Sequence, residues 1–276
     1  MTPLTSSPEQ QRLRWSSGAD ALTWYDLLLN LVMLLKLPVE LRLRIAEFAL
    51  EQHSTAGIPQ HLLETDYRPS DNLALLLVCR QLNTDFVQLA YSKTRFLLWN
   101  RGHGIRLQQL PPHRIRDIRR LVYVLIPSDI PSWGSYFCDL EQLYLDELII
   151  LCPDGWAPIS GDPNIRNMVL FLRRLMHVKT VKFIVYAQRL LDRGNLAPCI
   201  YLVGTIMKED HFQRYDAPGA PNVEANSWEW HFNAQENSVT LHAKEPEPVT
   251  PEEEYMQLQK PRVDALIALA RQETLV

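Results

Sequence analysis

The hydrophobic period changes near residue 95, and that change sets the fold class. Before it, apolar residues recur at helical spacing. Leu41, Ile45, Phe48 and Ala49 form one stripe, and Leu43, Ala46 and Leu50 form a second. Leu75, Val78, Cys79, Leu82, Phe86, Leu89 and Ala90 trace an amphipathic helix, with Cys79 as a small buried hydrophobe on its apolar stripe. After residue 95 alternation takes over. Arg95 to Trp99 reads as a strand, and the spacing Ile118-x-x-Leu121-x-Tyr123 is echoed at Leu140-x-x-Leu143-x-Leu145 and Val178-x-x-Val181-x-Phe183. Such alternation suits strands with one buried face. Leucine-rich repeats use a similar signature. Here the echoes start 22 and then 38 residues apart and lack the repeat asparagine. The expected fold is α+β: a helical region at 19–95, then an irregular mixed sheet-and-helix region at 96–245. A degenerate leucine-rich-repeat-like layer is its more regular alternative.

The flanks divide the chain further. Residues 1–18 are rich in Ser, Gln, Pro and Thr and read as a disordered leader. Residues 21–37 are the most apolar stretch. They fall short of the roughly 20 apolar residues that a membrane helix needs, and Asp26, Asn30 and Lys36 interrupt them. They read as a buried helix, without membrane insertion. An early basic-then-apolar signal is missing, so cytoplasm or nucleus is the expected location. Residues 52–72 carry Gly57, Pro59 and Pro69 and read as a loop. Helices are predicted at 164–176 and 188–210, and a hairpin at Ser227–Phe232 and Val239–Ala243. Residues 246–276 form a linker and a C-terminal helix. Thr250, Pro251, Glu252 and Glu253 suit its start, and Pro261 is expected to interrupt it.

Composition narrows the function. The 276 residues are 46% hydrophobic and 22% charged, so a sizeable core is within reach. The net charge of -4 argues against a nucleic-acid binder. The basic run at 101–120 has no interleaved aromatics and reads as a solvated loop and strand edge. Only 10 glycines are present, which disfavours Gly-rich phosphate loops. Cys79, Cys138, Cys152 and Cys199 are scattered, so neither a zinc framework nor a disulfide scaffold is indicated. His231 and His242 come together in the predicted hairpin, with no third ligand in view. Trp228 and Trp230 share a strand face and read as packing residues. No nucleophile or acid/base motif occurs. The expectation is a non-enzymatic chain with no catalytic, cofactor or metal residues.

A resemblance sharpens this. Leu37-Pro38-x-Glu40-Leu41-Arg42-x-x-Ile45, then Leu77-Val78-Cys79-Arg80-Gln81-Leu82, then Tyr91 and Phe96, resemble the F-box-like N-terminal region of many fungal proteins. The likeness covers about 60 residues. It implies a small helical module that docks on the Skp-family adaptor of a cullin-type ubiquitin ligase, while the rest of the chain captures an unknown protein substrate. Leu37, Pro38, Leu41 and Ile45 are the positions it places on the docking face. The opposed expectation is a globular scaffold whose F-box-like helices pack only internally.

Overall fold

Four parallel strands that follow one another in chain order form the centre of the fold, as seen in a computed structural model. The structure describes residues 31–50, 73–98, 106–125, 143–153, 163–186, 196–220, 227–233, 235–245 and 250–273. Strands β1 (Arg95–Leu98), β2 (Arg120–Val124), β3 (Glu147–Pro153) and β4 (Thr180–Tyr186) pair in parallel. Strands β5 (Ser227–Asn233) and β6 (Ser238–Lys244) add an antiparallel hairpin, giving the order β1-β2-β3-β4-β6-β5. Helices and a mixed sheet together make the fold α+β, as the change of period predicts.

The register explains the echo and corrects it. Phe96, Leu121, Leu148 and Val181 lie in one row across the sheet, and Leu98, Tyr123, Ile150 and Phe183 in the next row on the same face. Leu145 bridges Val178. The middle echo is therefore Leu145-x-x-Leu148-x-Ile150, five residues later than the spacing first suggests. The segment holds two overlapping matches to one spacing, and only the later one gives β3 a hydrogen-bonded neighbour on both sides. Row positions 96, 121, 148 and 181 are 25, 27 and 33 residues apart. Burial also differs from the expectation. Leu121, Val122, Leu148, Ile149 and Ile150 are all fully buried, so β2 and β3 are covered on both faces. Parallel strands take this form, reading as near-continuous apolar runs rather than alternating ones.

Helices that share the large core lie on one face of the sheet. Helix α1 spans Val39–Ala49, α2 Arg80–Lys93, α3 Pro112–Asp117, α4 Pro163–Arg174, α5 Ala197–His211 and α6 Glu252–Glu273. In α4, Ile165, Met168, Val169 and Leu172 are buried at helical spacing, as are Cys199, Leu202, Val203 and Ile206 in α5. They share one core with Leu121, Ile150, Phe183 and Leu241 of the sheet. Val122, Val124, Ile149, Leu151 and Ile184 form a smaller cluster on the opposite face. Steps that always advance to the next parallel strand, with one handedness, bring their helices to one side.

Other elements adjust the sequence reading. The hairpin forms as predicted. Asn233 Oδ1 accepts from the amides of Gln235 (3.0 Å) and Glu236 (3.3 Å), and Asn237 takes the left-handed conformation at φ 46°, which asparagine tolerates better than most residues. Pro261 lies inside α6 without ending it. An internal proline deletes one helix bond, but beyond it Leu266 is buried and Leu269 packs on the core. Residues 188–195 of the helix predicted at 188–210 lie outside the described residues. Part of the basic run is helical (α3), with Arg114 paired to Asp117 at 3.3 Å.

By internal contacts the chain forms two units, residues 1–44 and residues 45–276. In the second, α2 buries Leu82, Phe86 and Ala90, and its Lys93 pairs with Glu47 at 3.6 Å. Truncation at the sheet centre and at an exposed ring should differ sharply. Phe183→Ala should lower stability by about 3–5 kcal/mol, and Phe48→Ala should change it by no more than about 0.5 kcal/mol, both read by urea unfolding.

Candidate functional site

The turn at Leu37-Pro38 is held by an arginine. Residues 31–36 are helical, and the Leu37 amide donates to Leu34 O at 3.1 Å. A helix C-terminus leaves carbonyls without intrahelical partners. Arg42 is buried and supplies donors there: its Nη1 bonds Leu35 O at 3.2 Å and Leu37 O at 2.5 Å. A guanidinium also suits the negative end of the helix dipole. Pro38 precedes α1, and its carbonyl accepts from the amides of Leu41 and Arg42, each at 3.1 Å. It thus supplies an acceptor where none of its own donors is needed. The sequence motif contains Arg42 but gives no sign of this role, which depends on carbonyls five and seven residues earlier.

The predicted docking residues differ in exposure. Leu41 is 51% and Ile45 47% exposed, Pro38 is exposed, and Leu37 is half-buried. The same helix carries Phe48, 82% exposed, which extends the Leu41 and Ile45 spacing. Ala46 and Leu50, on the other stripe, are buried, and Leu43 is half-buried.

The second matching run is not one helix. Leu75–Leu77 form a 3-10 turn, and α2 starts afresh at Arg80 with Cys79 as its extended N-cap. Asn83 Nδ2 donates to Leu76 O at 3.0 Å and ties the two pieces together. Cys79 is half-buried at this break rather than buried on a helical stripe, and Leu77 is 86% exposed.

Elsewhere, one carboxylate gathers several polar partners. Asp210 Oδ1 accepts from Arg173 Nη2 at 2.7 Å, while Oδ2 accepts from Arg214 Nε at 2.6 Å and from Tyr255 OH at 3.2 Å. This carboxylate ties α4, α5, the π turn Phe212–Asp216 and α6 together. Burial, reinforced by the Asp210 charge, pushes the Tyr255 phenol well above its usual range. The imidazoles of His231 and His242 lie 5.3 Å apart. Among the described residues no three His, Cys, Asp or Glu side chains are set to hold a metal. Trp228 is buried in the core, and Trp230 packs against it under the Arg262 guanidinium at 5.6 Å. No helix among the described residues is long and apolar enough to cross a membrane. Comparisons with protein-family models, curated proteins and solved structures find no match for the chain.

Two thiols report on the core. Cys152 and Cys199 are buried, and Cys199 Sγ donates to Asn237 O at 3.4 Å. Burial pushes the Cys199 thiol up from 9.0 to about 12. Burial, then the proximity of Cys199, raises Cys152 as well. Their folded values lie above the unfolded one, so the folded chain keeps protons that the unfolded chain releases. This contribution is intact below about pH 9 and is lost as pH rises through the folded value. The urea midpoint should therefore fall between pH 9 and pH 11, and fall less steeply in Cys152→Ala/Cys199→Ala.

Proposed function

We propose that this chain is a non-enzymatic protein-interaction protein, acting as the substrate receptor of a Skp–cullin–F-box ubiquitin ligase. Leu37, Pro38, Leu41 and Ile45 form its docking face for the Skp-family adaptor. The observation that carries this reading is the split of α1: Leu41, Ile45 and Phe48 stand exposed, while Ala46 and Leu50 are buried. An apolar helical stripe offered to a partner groove is a recurrent mode of recognition. Each leucine-sized anchor that becomes fully buried contributes about 1.5–3 kcal/mol, before the cost of association. Arg42 supports the face by fixing the turn that carries Leu37 and Pro38 and leads into α1. The α+β region then serves to capture a protein substrate, and cytoplasm or nucleus is the compartment this role requires.

Co-purification with the adaptor tests the reading. Wild-type chain should retain adaptor, and Leu41→Ala/Ile45→Ala should lose at least about tenfold of it, a change of about 1.4 kcal/mol or more. Both side chains are about half exposed, so the double variant should keep its fold by circular dichroism. Equal recovery of adaptor by the folded variant would count against the assigned face.

A further inference from the structure

Helix α6 carries an apolar stripe that its own packing leaves open. Leu266 faces the core, but Met256, Val263 and Ile267 are exposed. With Ile200, Tyr201 and Gly204 of α5 they border a groove of about 1170 Å³. A Cβ placed on Gly204 would meet nothing within 4 Å, so the α5 wall is low at this point.

Beside the stripe runs a line of exposed charges: Glu253, Lys260, Asp264 and Arg271. At 100° per residue, these four fall within roughly 40° of one another around the helix. None has an ion-pair partner among the described residues. Their signs alternate, and they are opposed about a single position. Glu253 and Arg271 lie nine residues to either side of Arg262, and Lys260 and Asp264 lie two. Two antiparallel copies of α6, related by a two-fold axis that passes level with residue 262 on the exposed side of the helix, would set Glu253 opposite Arg271 of the second copy. The same axis sets Lys260 opposite Asp264. Each pair then occurs twice, which is the self-complementarity a two-fold interface requires. Charges flanking an apolar seam are also what selects partner and orientation between helices.

We propose that the occupant of this groove is α6 of a second copy of the chain, giving a two-fold dimer. Met256, Val263 and Ile267 form its apolar seam, and the four charges set its antiparallel register.

Sedimentation of the full chain across micromolar concentrations tests this. The expected species has twice the 32.0 kDa mass of one chain. Lys260→Glu places like charges opposite Asp264 in both symmetry-related pairs beside the axis and should weaken dimerisation by about tenfold. Adding Asp264→Lys to the same chain restores the attraction and should return the dissociation constant to within about threefold of wild type. Ile267→Glu, at an exposed position, should give a monomer with unchanged circular dichroism. A 32.0 kDa species at every concentration would overturn the proposal. So would a dimer indifferent to Lys260→Glu, or one that the second substitution fails to restore. An unrelated apolar ligand or protein as the occupant would leave the purified chain monomeric.

Discussion

Backbone hydrogen bonding in the middle of the sheet is the constraint on which the rest depends. A buried amide or carbonyl without a partner costs on the order of 1–3 kcal/mol. Strands β2 and β3 are buried on both faces, so water is not there to stand in. Only a register that pairs β3 with β2 on one side and β4 on the other leaves these groups satisfied. A one-residue slip would also turn every side chain to the wrong face. Leu121, Leu148 and Val181 would then leave the large core for the smaller one. The helices inherit their places from this register. Helices α4 and α5 share a core with the face that carries Ile150 and Phe183. Asp210 then ties the ends of α4 and α5 to α6 through Arg173, Arg214 and Tyr255.

The N-terminal helices follow a different logic. There a single cation spends its donors on a turn. Arg42 occupies the carbonyls that the preceding helix leaves open, and Pro38 accepts the first bonds of α1. The apolar residues beside them are left to face outward. Leu41, Ile45 and Phe48 on α1, and Met256, Val263 and Ile267 on α6, are two exposed stripes on two separate helices. The first supports the proposed adaptor face and the second the proposed dimer seam.

Much of this was legible in the sequence, because period reports directly on secondary structure. The shift near residue 95, the strand at Arg95, the rows through Leu121 and Val181, the hairpin and α4 all follow from spacing. The errors share a cause: spacing records candidates, and tertiary partners choose among them. The apolar residues from Leu140 to Ile150 fit two overlapping registers, and only pairing across the sheet selects Leu145. Leu75 to Ala90 fits one helix, yet Asn83 bonds Leu76 O across a break at Cys79. Pro261 is a helix breaker by rule, but Leu266 and Leu269 beyond it are anchored in the core. Of the candidate face, Leu37, Pro38, Leu41 and Ile45 came from a motif. The exposure of Phe48 did not, since residue type says that a side chain is apolar and not which surface it meets. The role of Arg42 was hidden for the converse reason, because its partners are backbone carbonyls common to every residue.

Amide hydrogen exchange tests the central constraint most directly. If the two-sided burial of β3 governs stability, the amides of Leu148–Leu151 should be among the slowest in the chain. They should exchange only through global unfolding, while those of α1 and the first turn of α6 open locally and faster. Protection of Leu148–Leu151 no greater than that of α1 would contradict a fold organised around that register.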